Sequence, residues 1–326
     1  MCTNHLKQYA LALHNYHDTA GGLPALRGRV VNKDSTGAIG AYEGWAPTTF
    51  LLPFMEQEPR YESIVNFVHP GSFPSAGCWR SCDDQPPIRG TIPTICCPSD
   101  GNTKTKDIEM TRTNIVYSLG DAINHNCNMT NSDPVGGRSA FIRDVWKNLA
   151  AISDGTSNTI AASETKAAKI TNDREAGLAS MNGITSLDTN PRQCLDHLDL
   201  SNKKFYKSTY TYSGWSTTAT TYCAYRGYHA FYSFAVNPTG FCTVLPPNTA
   251  NCANSTYADW GVYSASSRHS GGVNAALFDG SVRFISDTID CISNGITTPK
   301  QVTSGPSDFG VWGAMGSIAG SESLTP

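Results

Sequence analysis

The chain has 326 residues, a formal net charge of −3 at pH 7 and only 16% charged residues, whereas a typical soluble domain has about 25%. This balance argues against a nucleic acid or a strongly basic protein as the partner. Hydrophobic residues make up 39%, and the many glycine, proline, serine and threonine residues favour short strands and ordered loops over a helical bundle.

The cysteine content points to an oxidising compartment. Eleven cysteines together with few lysines and glutamates are typical of a protein that forms disulfides. We therefore expect an extracytoplasmic location, which is the cell surface, the periplasm or an extracellular filament. An exported chain needs a leader, but the residues after Met1 are polar and hold no apolar segment. We expect that a leader has been removed, or that none was needed.

The first predicted element is an amphipathic helix over residues 1–20. Its apolar positions recur at helical spacing, and Gly21, Gly22 and Pro24 end the pattern. The apolar positions are Leu6, Tyr9, Ala10, Leu13 and Tyr16.

Two segments of different character follow. Residues 48–55 are apolar and lead into a short predicted helix that reaches Val65, so both belong to the core. Residues 70–98 are rich in proline, glycine and cysteine and predict a loop. Its cysteines are Cys78, Cys82, Cys96 and Cys97. They resemble a zinc quartet, but vicinal cysteines fit a tetrahedral site poorly, so disulfides such as Cys78 with Cys82 are favoured.

The middle of the chain is predicted to be β-rich. Residues 114–119 and 159–162 have strand character. Over about residues 166–256 we expect a cysteine-containing insertion with strands near 206–215 and 222–236 and a bridge between Cys242 and Cys252. No repeat or linker divides the chain, so residues 1–326 are expected to form a single domain.

Asp279-Gly280 predicts the tip of a β-hairpin. The pair tolerates positive φ at both central positions of a two-residue type I′ turn, which places Leu277 opposite Val282 and Ala275 opposite Phe284. His269 stands before this pair with nine residues between it and Asp279. A strand separates the two, so His269, Asp279 and Gly280 are expected to serve structure rather than catalysis.

Motifs for common enzyme chemistry are weak. The sequence lacks the G-x-S-x-G elbow of a serine hydrolase and the glycine-rich loops that bind nucleotides. His14 and His17 lie one turn apart but lack further ligands, which favours surface or packing roles. Acidic turns at Asp100 and Asp154 offer oxygen ligands that suit calcium, although ordinary turn roles are favoured. We expect a non-enzymatic protein that needs no cofactor.

Several blocks resemble a family of planctomycete pilin-like proteins of unknown function that have a prepilin-type N-terminus. The blocks stand in the family's order, and the insertion at 166–256 is not covered. They are the first helix from Cys2, residues 44–61, Cys97-Pro98-Ser99-Asp100, residues 154–164, and a C-terminal signature of His269, nine further residues and Asp279-Gly280.

The resemblance implies an α+β fold in which an amphipathic stem helix packs on an antiparallel sheet, with long disulfide-containing loops and a β-rich insertion. It also implies a pseudopilin-like subunit of a type II secretion or type IV pilus-like assembly, whose partners are other pilin-like subunits or copies of itself. The family's leader and apolar half-helix are absent from this sequence, so we expect a soluble head without membrane contact. The alternative is an extracellular binding or adhesion protein for a carbohydrate or protein, because six Trp and fourteen Tyr can supply exposed rings.

The start of the first helix needs a restraint. A terminal helix held by one apolar stripe frays, and a bridge from Cys2 would hold it and also restrict the unfolded chain. The resemblance adds that the cysteines concerned fall in family blocks. We expect Cys2 to pair with Cys96 or Cys97.

Overall fold

The computed structural model has the α+β class that the sequence predicts. It describes residues 1–69, 86–103, 110–123, 138–167, 173–180, 187, 190–207, 226–233, 236, 238–253, 260–291 and 304–321. The expected Cys78–Cys82 bridge and most of the strand candidate at 206–215 lie outside these residues. The described part of the candidate at 222–236 forms turns and one isolated bridge at Tyr232, so the predicted strand is absent from it. Within them, no helix has the length and apolar character needed to cross a membrane.

The strands form one central sheet and two small ones. The helices are α1 (Cys2–Ala20), α2 (Pro47–Leu51), α3 (Glu58–Val65), α4 (Gln193–Asp196) and α5 (Gly310–Gly316). The strands are β1 (Gly28–Asp34), β2 (Ile39–Trp45), β3 (Val68–His69), β4 (Ile115–Ser118), β5 (Ile160–Glu164), β6 (Ala179–Ser180), β7 (Gly240–Phe241), β8 (Cys252–Ala253), β9 (Gly261–Val262), β10 (Gly272–Leu277) and β11 (Val282–Ser286). Short 3-10 helices lie at Leu52–Met55, Pro86–Ile88, Pro93–Ile95, Gly101–Thr103 and Leu149–Ala151. The strand orders are β11-β10-β5-β4-β7, β2-β1-β3 and β6-β8-β9.

Both faces of the central sheet are covered. One face carries Tyr117 and Ala276 and belongs to the main core, which also contains the apolar stripe of α1. The opposite face carries Val116 and Val273 and packs with Trp312 of α5. Every position of β4 and β5 is buried, which explains why these strands have no apolar-polar alternation in the sequence.

Helix α1 lies against the central sheet. Leu6, Tyr9 and Leu13 are at most 2% exposed, and the helix contacts β5, β10 and β11. The Tyr9 hydroxyl also forms a 3.2 Å hydrogen bond with the Thr48 hydroxyl. The predicted stop is confirmed, because α1 ends at Gly21, whose φ of 76° is left-handed. Burial of each leucine contributes about 1.5–3 kcal/mol to folding.

The β1–β2 hairpin is not among the predicted elements. Burial alternates strictly along β1, as expected for a strand with one buried face. However, the buried positions include Asn32 and Asp34, so the sequence of β1 does not alternate between apolar and polar residues. The Asp34 carboxylate makes the turn, because it accepts the N–H groups of Thr36 and Ala38 at 2.9 and 3.0 Å.

The described part of residues 166–256 joins the rest of the fold. Its strands β6, β7 and β8 are two residues long. Strand β7 pairs parallel with β4 at the edge of the central sheet, and Tyr232 forms an isolated bridge with Trp45. This region therefore contributes to the same core as the flanking segments.

The predicted C-terminal hairpin is present, but its register differs by one residue. Val282 lies opposite Ala276 rather than opposite Leu277. Phe284 lies opposite Asn274 rather than Ala275, and its side chain is exposed. A shift of one residue exchanges the two faces of a strand, so the predicted apolar pairs do not form.

The shift arises from the turn. The Leu277 N–H donates to the Ser281 carbonyl, which encloses a loop of residues 278–280. Gly280 has a φ of 85°, whereas Asp279 is not in the left-handed region. This is the geometry of a type I turn followed by a glycine bulge, and the predicted two-residue type I′ turn is therefore wrong.

Gly280→Val is expected to lower the free energy of unfolding by more than about 1 kcal/mol, because a β-branched residue resists positive φ. A Cβ at Gly280 meets no atom within 4 Å, so the loss reports backbone conformation alone. Gly280→Asn is the matched control and should be better tolerated, since asparagine adopts this conformation more readily. Urea unfolding measures both variants, and equal stability of Gly280→Val and the parent would contradict the turn assignment.

His229 is expected to make the fold acid-sensitive. The side chain is 1% exposed, and burial lowers its pKa from 6.5 to about 3. The unfolded chain then takes up a proton at a higher pH than the folded chain. The stabilising contribution of neutral His229 is complete above pH 6.5. As the pH falls towards 3, the free energy of unfolding decreases by up to about 1.4 kcal/mol per pH unit.

His229→Gln should therefore show a shallower loss of stability between pH 6.5 and 4 than the parent. Urea unfolding at a series of pH values measures this slope, and His14→Gln on α1 controls for removal of a histidine. Parallel pH profiles for the parent and His229→Gln would contradict the prediction.

Candidate functional site

Residues far apart in the sequence meet where α1 begins. Cys2 starts the helix, Cys97 follows the 3-10 helix Pro93–Ile95, Glu164 ends β5, and His269 precedes β10. One potential ligand atom from each of these four side chains lies within 4.8 Å of all the others. We call Cys2, Cys97, Glu164 and His269 the Cys-Glu-His cluster.

A disulfide between Cys2 and Cys97 forms the first half of the cluster. It joins residues 95 positions apart in sequence, with a Cα–Cα distance of 5.0 Å. Cys97 is one of the two partners expected for Cys2. The Cys97 N–H donates to Asn114 Oδ1 at 2.7 Å, and His5 Nδ1 lies 2.9 Å from the Cys96 carbonyl oxygen. The first turns of α1 are thus fixed covalently and by hydrogen bonds.

Glu164 and His269 form the second half. The Glu164 side chain is 3% exposed, and its Oε1 lies 3.1 Å from His269 Nε2. Its Oε2 accepts the backbone N–H of Asn274 at 2.7 Å and the side-chain amide of Asn274 at 3.1 Å. These partners compensate the loss of hydration of a buried carboxylate.

Glu164 is not among the site residues predicted from sequence. It ends the strand Ile160–Glu164, whose other members are small or apolar. A carboxylate in a fully buried strand needs partners, so this position carried a signal for a site.

His269 and Asp279 lie at opposite ends of β10. His269 contacts Glu164 at the start of the strand. Asp279 lies in the hairpin loop, where its Oδ1 accepts the Ser281 N–H at 2.8 Å. The two residues of the proposed signature therefore have separate partners.

The calcium candidates Asp100 and Asp154 accept N–H groups. Asp100 Oδ2 accepts the Ala167 N–H at 2.8 Å and the Asn114 side-chain amide at 2.9 Å. Asp154 Oδ1 accepts the Ser321 N–H at 2.8 Å. Oxygens engaged by N–H donors are not free for a cation, so the calcium hypothesis gains no support from either turn.

The second disulfide differs from the one expected. Cys252 pairs with Cys194 of α4, not with Cys242. Cys242 follows β7 and is fully buried, and its sulfur accepts the Tyr263 N–H at 3.2 Å. The expected Cys242–Cys252 bridge relied on nearness in sequence, whereas the fold places Cys252 in a different sheet from β7.

The free thiols among the described residues are poor nucleophiles. Burial raises the pKa of Cys96 and Cys242 to about 11 and that of Cys291 to about 12. The reactive form of cysteine is the thiolate, so these three residues are suited to packing rather than to chemistry at neutral pH.

The cluster does not have the layout of an acid-base relay. In a relay from carboxylate through imidazole to sulfur, the imidazole uses one nitrogen for each partner. Here the same atom, His269 Nε2, lies 3.1 Å from Glu164 Oε1 and 3.7 Å from Cys97 Sγ. Donor groups that converge on one point can brace the fold or, once the sulfurs are reduced, ligate a metal.

Comparison with known proteins gives a family but no function. The model of a family described as a protein of unknown function (DUF1559) matches residues 1–291. No curated protein and no solved structure matches the chain.

Cys2→Ser is expected to lower the free energy of unfolding by about 4–5 kcal/mol in the chain-entropy view, because the disulfide spans 95 residues. Urea unfolding without reductant measures the loss. Cys96→Ser is the matched control, because Cys96 is also buried and adjacent to Cys97 but is unpaired. Equal losses in the two variants would show that the bridge does not hold α1.

Proposed function

The chain belongs to the DUF1559 family of proteins of unknown function, and we propose that it is a non-enzymatic, pseudopilin-like structural subunit of the cell envelope. In this proposal α1 is the lower part of a stem helix, and the sheets and loops form a head exposed outside the cell. The assembly is of the type II secretion or type IV pilus kind, in which subunits associate through their stems.

One observation carries the proposal: residues from four of the five blocks that resemble pilin-like proteins meet around the start of α1. Cys2 is bonded to Cys97, and Glu164 holds His269 beside that bond. Cys2, Cys97 and Glu164 are buried, His269 is 27% exposed, and the four side chains face one another. This favours fastening of a helix to a sheet over turnover of a substrate.

The disulfides support an extracytoplasmic location. Cys2–Cys97 and Cys194–Cys252 join distant parts of the chain. Such bonds persist in oxidising compartments and are rare where thiols are kept reduced. The proposed subunit therefore works outside the cytoplasm.

The outer face of α1 offers a surface for neighbouring subunits. Leu11 is 59% exposed, on the side of the helix away from the buried Leu6 and Leu13. In the proposed assembly this exposed face of α1 contacts the stem helices of neighbouring subunits.

Cross-linking of the complete native gene product in its own cells tests this proposal. Leu11→Cys is expected to give several-fold more cross-linked dimers and higher multiples of the chain than Leu200→Cys after treatment with a thiol-to-thiol reagent. Leu200 is the matched control, because it is an 84% exposed leucine outside α1. Equal yields from the two variants would contradict assembly through α1.

A second candidate function, an extracellular binding or adhesion protein, is favoured by the small sheet β2-β1-β3. Val31, Ile39 and Val68 are 60%, 68% and 52% exposed and line a groove of about 440 Å³. Exposed apolar patches with polar surroundings mark interaction sites. In the same experiment, cross-linking of Ile39→Cys to a different protein, with none between Leu11→Cys chains, would favour this candidate.

A further inference from the structure

The spacing of donor atoms in the Cys-Glu-His cluster matches a tetrahedral metal site. Zinc lies about 2.3 Å from sulfur and about 2.0–2.2 Å from nitrogen or oxygen, which places ligand nitrogen and oxygen about 3.4 Å apart and sulfur and nitrogen about 3.6 Å apart. His269 Nε2 lies 3.1 Å from Glu164 Oε1 and 3.7 Å from Cys97 Sγ. These two distances are within a few tenths of an ångström of zinc geometry, and all four donor atoms lie within 4.8 Å of one another.

The sulfurs are the exception, because they are bonded to each other. Two thiolates on one zinc ion lie about 3.8 Å apart, so the bond must be reduced before a metal can enter. In the reduced chain, rotation of one cysteine side chain about its Cα–Cβ bond is the movement that would supply the extra separation.

We propose that the reduced chain binds one zinc ion through the thiolates of Cys2 and Cys97, His269 Nε2 and Glu164 Oε1. Each of these donors, thiolate sulfur, imidazole nitrogen and carboxylate oxygen, is a known zinc ligand, and four of them complete a tetrahedral site. The inference does not rest on the proposed function, since it concerns only the donors and their oxidation state.

The surroundings of the ligands are arranged as in a metal site. Asn274 holds Glu164 Oε2 through two hydrogen bonds and leaves Oε1 directed at the cluster. The His269 N–H donates to Ser267 Oγ at 3.0 Å, which fixes the backbone of that ligand. Cys2, Cys97 and Glu164 are less than a tenth exposed, while the His269 side chain is 27% exposed and offers a path of entry. Oriented ligands in a mostly dry site raise metal affinity.

Metal and disulfide are alternatives that interconvert by a balanced reaction. A dithiol reductant supplies two electrons and two protons, breaks the sulfur-sulfur bond and yields two thiols. Zinc then displaces both thiol protons. In reverse, a peroxide takes two electrons from the zinc-bound thiolates and two protons from solvent. This forms the disulfide, releases zinc and gives two molecules of water when the oxidant is hydrogen peroxide.

Cobalt, which replaces zinc and reports its ligands by absorption, provides the test. The whole chain, reduced with a phosphine and kept without oxygen, is titrated with Co²⁺. We expect tetrahedral ligand-field bands and a thiolate-to-cobalt charge-transfer band, and we expect both to disappear when Zn²⁺ is added. Hydrogen peroxide should abolish binding at this site and release the metal in step with loss of the two thiols.

Variants assign the signal to the cluster. Cys97→Ser and His269→Gln should lower the affinity for Co²⁺ by at least about 10–100-fold, because loss of a residue that only supports a metal ligand already has this effect. Cys96→Ser is the matched control and should bind as the parent does, because Cys96 is a neighbouring buried thiol outside the cluster. Subtraction of the Co²⁺ titration of Cys97→Ser from that of the parent also removes the contribution of the other thiols.

The result that would overturn the proposal is equal Co²⁺ affinity and spectrum in the parent, Cys97→Ser and His269→Gln. His269→Gln keeps both cysteines and changes a partly exposed residue, so it remains informative if Cys97→Ser fails to fold. Retention of the same metal by the oxidised chain would overturn the proposal as well.

Discussion

The attachment of α1 to the central sheet is the constraint on which the other packing depends. The helix covers the face that carries Tyr117 and Ala276, and its own Leu6 and Leu13 are buried only because that face is present. A single apolar stripe allows a helix to slide or fray at its end. The Cys2–Cys97 bond removes this freedom at the first turn, and the left-handed Gly21 ends the helix after its last turn.

A fold with few regular elements must satisfy many backbone groups through side chains, which explains the unusual composition. Asn114 shows how this is done. Its amide donates to Asp100 and to the Thr165 carbonyl, while its Oδ1 accepts the Cys97 N–H. One short polar residue thus joins the loop that contains Cys97 and Asp100 to the adjacent ends of the paired strands β4 and β5. Serine, threonine and asparagine are abundant because loops packed in this way need such residues at many positions.

Local sequence patterns were sufficient to predict the elements whose signals lie within one short segment. The stripe from Leu6 to Leu13 identified α1, and Asp279-Gly280 identified the hairpin, because both signals are local. The register of that hairpin was not predictable from the pair alone, since a type I turn with a bulge at Gly280 and a type I′ turn use the same residues. The Cys194–Cys252 bond and the contact between Glu164 and His269 depend on long-range packing that spacing does not encode.

The need to attach α1 to the sheet explains why the Cys-Glu-His cluster suits either a disulfide or a metal ion. The start of α1 must be joined to the loop that contains Cys97, to the end of β5 and to the segment before β10, whatever the redox state. In the oxidised chain a covalent bond makes one of these connections, and the hydrogen bond between Glu164 and His269 lies beside it. In the reduced chain the sulfurs become anionic ligands, and an ion that binds all four side chains would connect the same four segments. In this proposal the cluster holds the start of α1 in both oxidation states, through the disulfide in the oxidised chain and through the metal ion in the reduced chain.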